Sequence, residues 1–366
     1  MDTDLKTISF LVGNGFDVAI LEALGSKHTT TYGEFYDYIN WNKSKDNEIC
    51  KDINENIENW CDFEAALTKK IEEVIQKLKT LSVEKGDILY KKTLSDWAEI
   101  QLLFSDFLNE VIPASILKKS GNMRGIDCKT KFLGDLSPDD FKNLKFDIYH
   151  HDKVQYNIVN FNYTSLLDNY LTADDDPHPY VHSINNMDFH WPDGSSMTQY
   201  SVKSKTRVFH PHGTLSIPSS IKFGNSENVM KYSASEVMRN TSLYRPEMLR
   251  KKLNKAYWYQ NNPEMQKYVE QTDLFVIYGL AIGPSDKWWW NMVARLVVEN
   301  NKEVIVYCYD KNKLKEKLNE YVIDFIENSC TLEDGINIEE VKKDCEERIL
   351  TVSFDKNKKL RYGFCF

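Results

Sequence analysis

Four short apolar runs in this chain each end in a polar or glycine turn and hand over to a helix-like pattern. They are "ISFLVGNGFDVAI" (8–20), "VQYNIVNFNYTSLLDNY" (154–170), "DLFVIYGLAIGPSDKWWW" (273–290) and "EVIVYCYD" (303–310). A fifth run, "RILTVSF" (348–354), closes the series. Runs of this length, rich in Val, Ile, Phe and Tyr, read as buried strands. Strands that alternate with helices are satisfied by a mostly parallel sheet covered by helices, because a parallel pair needs a long crossover. The spacing therefore predicts an α/β fold with a Rossmann-like, mostly parallel sheet. Its strands are expected at 5–12, 154–163, 180–184, 207–213, 273–283, 303–310 and 348–354. Helices are expected near 15–25, 32–39, 163–172, 234–240, 246–270, 286–300 and 312–328.

Between the first two strands the period changes. Phe63, Leu67, Ile71, Ile75 and Leu78 recur at three and four residues, and so do Leu94, Trp97, Ile100, Leu103, Phe104 and Phe107. That spacing puts each set on one helical face and predicts two helices paired as a hairpin. Residues 119–150 hold glycines, a proline and many charges and read as a connector. The expected organisation is an α/β nucleotide-binding unit of 1–42 and 150–366, interrupted by a helical insertion and connector at 43–149.

Charge narrows the partners. The chain of 366 residues has 46 Lys and Arg against 55 Asp and Glu, a net −9. It has no general electrostatic pull towards nucleic acid, which is not an expected partner. No run approaches the roughly 20 apolar residues of a membrane span, so a membrane is not expected either. The start, "MDTDLKT", carries acids and lacks the apolar core of a secretory signal. Seven cysteines at 50, 61, 128, 308, 330, 345 and 365 form no C-x-x-C pair. Free thiols in a reducing cytoplasm fit that pattern, and no metal is expected.

In an open parallel sheet, ligands sit beyond the carboxyl ends of the strands. Four motifs stand there. In "VGNGFD", Gly13, Asn14 and Gly15 turn a strand into a helix and can present backbone N–H groups, with Phe16 and Asp17 following. The plain alternative is a tight corner, with Asp17 capping the helix. In "IVNFNYT", Asn160, Asn162, Tyr163 and Thr164 can hold a ribose hydroxyl or a water, or can simply cap the next helix. In "RVFHPHG", His210 and His212 sit two apart on an expected strand, and a histidine near neutrality can serve as a general base. His150, His151, His178 and His182 read as structural. In "IYGLAIGPSDKWWW", Gly279 and Gly283 let a backbone approach a ligand, while Ser285 or Asp286 reads as a helix N-cap. The three tryptophans that follow read as packing.

The order of these motifs, together with "WCDFEAAL", resembles the AbiH family of bacteriophage abortive-infection proteins. The resemblance covers 10–40, 60–68 and 154–290. A remoter likeness is to sirtuin-like NAD-binding domains, on the glycine turn, the Asn-bearing strand end and the later His-Gly. That likeness implies an NAD hydrolase in which Asn162 and His212 are catalytic. It also implies a cofactor site formed by Gly13, Asn14, Gly15, Phe16, Asp17, Asn160, Tyr163, Thr164, Gly279, Gly283, Ser285 and Asp286. Three departures stand out: no four-Cys zinc module is present, Thr164 stands where an Asp is usual, and Phe16–Asp17 replace a small hydroxylated residue. Deacetylation is therefore not implied.

Cleaving the nicotinamide–ribose bond of NAD releases a cationic leaving group as a neutral molecule through an oxocarbenium-like state. Asn162 would orient a water or hydroxyl and His212 would accept its proton. Asp62 and Glu64 open a long helix, where acids complement the dipole; a gating or catalytic role is the alternative. Two other functions compete with NAD hydrolysis. One is a nucleotide-binding sensor or partner-gated module without turnover. The other is a metal-dependent nuclease-type effector, which the net charge and the missing ligand cluster oppose. The expected ligand is a small nucleotide, with a phage-derived trigger or partner protein and a homo-oligomer both compatible with the sequence.

Overall fold

The computed structural model describes residues 5–42, 46–51, 63–121, 123, 125–172, 184–193, 196–224, 241–260, 262–310, 312–329 and 337–366. Its centre is a seven-stranded sheet of β1 (Leu5–Val12), β2 (Lys153–Asn160), β3 (Ile184–Asp193), β4 (Ser196–Phe209), β5 (Leu274–Tyr278), β6 (Glu303–Tyr309) and β7 (Ile349–Phe354). The strands lie in the order β3-β4-β2-β1-β5-β6-β7. All pairs are parallel except β3 with β4. The α/β, mostly parallel reading therefore holds.

From β1 the chain winds outward through β2 to β4 on one side, then returns to pair β5 on the other side of β1. The winding reverses at the β1/β5 boundary. Val12 pairs Tyr278 there, so both strands end at the same level, on glycines 13 and 279. A sheet that splits its connections in this way leaves a crevice beyond the strand ends.

Strand residues alternate between two apolar clusters, as a period of two requires. Ile8, Phe10 and Val12 of β1 face one cluster; Leu11, with Val159, Phe275 and Ile277, faces the other. The first cluster is covered by α1 (Asn14–Ala23), α2 (Tyr32–Asn42), α3 (Phe63–Thr80) and α4 (Val83–Val111). α3 and α4 form the expected hairpin, and Phe63, Leu67, Ile71, Ile75 and Leu78 of α3 are all buried. Each such side chain is worth about 1.5–3 kcal/mol over an exposed one. These helices share one continuous cluster with the sheet rather than a core of their own.

Several expected boundaries move. After α5 (Ala114–Ser120), which ends just inside it, the stretch 119–150 contains α6 (Gly125–Thr130) and α7 (Pro138–Asn143), not a bare connector. After α8 (Leu166–Thr172), strands β3 and β4 form an antiparallel hairpin where only 180–184 and 207–213 read as extended; 180–183 and the expected helix at 234–240 lie outside the described residues. The single helix expected at 246–270 is three: α9 (Thr241–Leu253), α10 (Lys255–Gln260) and α11 (Pro263–Glu270). Asn262 caps α11 by accepting from the Met265 N–H, and Pro263 takes its first position, so the chain restarts there. α12 (Lys287–Asn300), α13 (Leu314–Ser329) and α14 (Ile338–Glu347) complete the fold, and α14 carries no counterpart in the sequence reading. No single helix among the described residues is long and apolar enough to cross a membrane.

Candidate functional site

The glycine turn after β1 is a junction between two loops. Gly13 N–H donates to the Tyr278 carbonyl and Gly15 N–H to the Gly279 carbonyl, both at 2.9 Å. A Cβ on Gly15 would sit 2.6 Å from Gly279 Cα, and Gly279 has φ +67°. These glycines let the two strand ends touch. The donor role expected of Gly13 and Gly15 is thus taken up inside the fold.

Beside this junction is a cavity of about 400 Å³. One part of its wall comes from α1 and the turn after β2. Asp17 is fully buried and accepts from Asn162 Nδ2 at 3.0 Å and from Thr164 Oγ1 at 2.6 Å. It does not cap α1; its partners are side chains from the neighbouring strand end. Burial pushes its carboxyl up to about 7, Thr164 and Asn162 pull it back, and nearby Asp168 adds to the rise. Asn162 is buried with its Oδ1 unpartnered among the described residues. Asn160 orders this turn by accepting from Asn162 N–H and donating to the Thr164 carbonyl.

The other part of the wall is charged. Lys255, at the start of α10, is 1% exposed. Its Nζ donates to Glu64 Oε1 at 2.9 Å and Oε2 at 2.7 Å, and lies 3.8 Å from Asp286 Oδ1. His212 Nε2 is 3.0 Å from the same Asp286 oxygen, which also accepts from Tyr259 OH at 3.3 Å. Burial alone would raise Asp286, but Lys255 and then His212 more than offset it and hold the carboxyl well below the usual range. Burial likewise opposes the charge on Lys255, and Asp286 and Glu64 overcome it, so the ammonium is held more firmly than in water. Tyr32 OH donates to Glu64 at 2.7 Å. Burial, and then Glu64 or Asp286, pushes Tyr32, Tyr163 and Tyr259 well above the ordinary phenol range, so all three stay neutral donors.

The loop bearing His212 is braced from the helical side. Gln101 of α4 donates to the Ile221 carbonyl at 2.6 Å and Ser105 to the Leu215 carbonyl at 2.9 Å. Phe161, Tyr163 and Tyr259 surround the imidazole. Nε2 is directed at Asp286, which leaves Nδ1 as the ring nitrogen open to another partner.

The family model for "Bacteriophage abortive infection AbiH" matches residues 9–309. The chain belongs to the AbiH family. Every side chain in both walls falls within that match. No curated protein and no solved structure matches the chain. The comparisons therefore carry the family, and with it abortive infection, but not the likeness to sirtuin-like domains.

In this AbiH protein most of the expected site residues come together. Gly13, Asn14, Asp17, Asn162, Tyr163, Thr164, His212, Gly279, Ser285 and Asp286 line the cavity, and so does Glu64. Asn14 turns its amide to Thr30, donating to its carbonyl and accepting from its hydroxyl. Gly15, Phe16, Asn160 and Gly283 are not part of the lining. Gly15 is pressed against Gly279, Phe16 is fully buried among aromatic rings, Asn160 orders its turn, and the Gly283 carbonyl accepts from Trp290. Asp62, His178 and His182 lie outside the described residues. His210 and His212 fall beyond the end of β4 and part company: His210 Nε2 faces Asp168 at 3.2 Å. Asp286 is an N-cap by position without a capping bond; its carboxylate serves the cavity.

Sequence reading missed Lys255, Tyr259 and Tyr32. "LNKAYWYQN" offers one lysine among many, and nothing local marks it as buried. Among the described residues no three His, Cys, Asp or Glu side chains are placed to hold a metal ion. Cys50, Cys128, Cys308, Cys345 and Cys365 form no disulfide among the described residues, and Cys61 and Cys330 lie outside them.

Proposed function

We propose that this AbiH protein is a phage-defence effector that binds NAD in the cavity and hydrolyses its nicotinamide–ribose bond. The observation that carries the reading is the pairing of His212 with a buried, ionised Asp286 in the same cavity as Asn162. The sheet supports it. Without antiparallel β3, the six parallel strands renumber as 3-2-1-4-5-6, the winding of Rossmann-like dinucleotide-binding sheets, and the cavity lies at the reversal.

In the proposed reaction the C–N bond breaks with its electron pair moving onto the nicotinamide nitrogen, which becomes neutral. A water oxygen bonds to the ribose carbon, and His212 Nδ1 takes the water proton. The products are nicotinamide, ADP-ribose and a proton. The Asp286 carboxylate fixes the His212 tautomer and stabilises the imidazolium that forms, and negative charge nearby favours the oxocarbenium-like state.

The test is NAD consumption and nicotinamide release by the purified chain, beside His212→Ala and Asn162→Ala. Loss of a general base lowers turnover by roughly 100- to 10,000-fold, with circular dichroism unchanged. No turnover, even with phage lysate added as a trigger, overturns the hydrolase reading. A second reading, nucleotide binding without turnover, is favoured by Thr164, which stands where the sirtuin-like likeness has an acid and spends its hydroxyl on Asp17; tight NAD binding with no nicotinamide release selects it.

A further inference from the structure

Residues 355–366 follow β7 without helix or strand, yet they pack against the sheet on the side of the first apolar cluster. Asp135, which closes the short 3-10 turn Phe132–Asp135, gathers three successive backbone donors from them. Its Oδ1 accepts from Arg361 N–H at 2.9 Å and Tyr362 N–H at 3.1 Å, and its Oδ2 from Gly363 N–H at 2.7 Å. Tyr307 OH of β6 donates to the same Oδ2 at 3.2 Å, and a Cβ on Gly363 would collide with that hydroxyl. The backbone then turns at Phe364 with φ +53°, a conformation that a phenylalanine keeps only where its surroundings hold it.

The two rings held in this way bear on the glycine junction. Phe364 is buried and stacks on Tyr278 with ring centroids 3.9 Å apart, and it meets Phe16 edge-on at 6.2 Å. Phe366 meets Phe16 at 5.4 Å and Tyr170 of α8 at 5.6 Å. Tyr278 precedes Gly279, and its carbonyl takes the Gly13 N–H; Phe16 stands between Gly15 and Asp17. The segment therefore supports both loops of the junction through side chains that do not themselves line the cavity. A segment without ladder or helix bonds, tied by one carboxylate, belongs to the class that opens well below the cost of global unfolding.

We propose that residues 361–366 are a latch, closed by Asp135, that positions the glycine junction and Asp17 and so governs whether the cavity is formed. Closed, it pins Phe16 and Tyr278, and with them the bonds of Gly13 and Gly15 to the end of β5. Open, it withdraws two rings from under both loops and lets water reach Asp17. The inference does not draw on the NAD reading and holds for any ligand of the cavity.

The experiment is hydrogen exchange on the full chain at pH 7, wild type beside Asp135→Asn. Asparagine keeps the size and loses the charge that draws the three N–H groups. The 361–363 amides are expected to exchange about tenfold faster or more, the scale of losing hydrogen bonds to a charged acceptor. The Gly13, Gly15 and Phe16 amides should speed up with them, and α13, whose buried side chains belong to the other apolar cluster, should not. The second readout is Asp17. Wetting it relaxes the upward push on its carboxyl, so in the Asp135→Asn background the effect of Asp17→Asn on stability should vary less between pH 4 and 7. If Asp135→Asn does not fold, Phe366→Leu, which leaves Asp135 in place, should give the same pattern at the junction. Faster exchange confined to 361–363, equal acceleration in α13, no acceleration, or an unchanged pH profile overturns the latch. Neither readout uses NAD, so failure of the latch and failure of the hydrolase are told apart.

Discussion

Asp17 and Asp286 line one cavity, and burial pushes both carboxyls towards the neutral form. Asp17 meets only neutral donors, Asn162 and Thr164, and its carboxyl rises to about 7. Asp286 meets Lys255 and His212 and falls well below the usual range. The difference teaches that the sign of the shift follows the charge of the partners, not the depth of the site. It also divides the cavity. The wall built from α1 and the β2 end carries a carboxyl poised near neutrality, and the wall built from α3, α10 and the turn before α12 is fixed in its charges.

The sharpest way to break this comparison is to remove the cation. Lys255→Met leaves Glu64 and Asp286 buried without it. Removing one partner of a buried ion pair typically costs about 3–5 kcal/mol, and urea unfolding should show a loss of that order. The double variant Lys255→Met/Glu64→Gln, which also removes one of the stranded carboxylates, should recover a large part of it. Unchanged stability in Lys255→Met would mean the charged wall is not held as described.

Asp17→Asn tests the other wall and depends on pH. The folded carboxyl is pushed up to about 7 against an ordinary 3.8. Between those values the folded protein holds a proton that the unfolded chain has lost. Wild-type stability from this group is therefore complete below about pH 4 and lost as pH rises through 7. The loss is up to about 4 kcal/mol. Asparagine has no proton to lose, so the stability difference should shift in favour of Asp17→Asn between pH 4 and 7. Turning the Asn162 amide over would let its unpartnered Oδ1 accept from the new side chain. A pH-independent difference would show that Asp17 stays ionised.

The two walls also differ in how far the sequence announced them. Asp17, Asn162, Thr164 and Asp286 sit within a few residues of strand ends, and the winding of a parallel sheet gathers strand ends by rule. Glu64 and Lys255 are 191 positions apart and meet only because α3 and α10 fold over the cavity. No local period encodes that meeting, and Lys255 looks like any surface lysine. Within the fold, the buried parallel strands were legible because they are continuous apolar runs. The β3–β4 hairpin was not: at the sheet edge its exposed and half-buried residues mix polar and apolar types, which hides a strand. The glycine turn was located correctly, but its use was not. Which partner takes its N–H groups is set by β5, 260 residues away or more.

Gly279 belongs to the junction beside both walls and should give an intermediate effect. It has φ +67°, and an added Cβ would lie 2.7 Å from Phe16 N. Gly279→Ala is expected to destabilise by about 1–3 kcal/mol through backbone strain. The test is a thermal melt at pH 5 and pH 8. Because the change touches neither carboxylate's partners, the loss should be the same at both. A loss that depends on pH would tie the junction to the titration of Asp17 and blur the division between the walls.

Thr164→Val is the smallest change and separates the walls most finely. It removes the 2.6 Å hydrogen bond to Asp17 Oδ2 and keeps the volume of the side chain. A lost neutral hydrogen bond costs about 0.5–1.5 kcal/mol, and one to an ionised acceptor costs more, about 1.5–3 kcal/mol. Thr164 is the strongest of the groups that lower the Asp17 carboxyl, so its removal should move that carboxyl further up. The destabilisation should therefore be smaller at pH 5, where Asp17 is protonated, than at pH 8, where it is ionised. Urea midpoints at the two pH values measure this directly. Equal losses would mean that Thr164 does not discriminate between the two forms of Asp17, and that burial alone sets the behaviour of this wall.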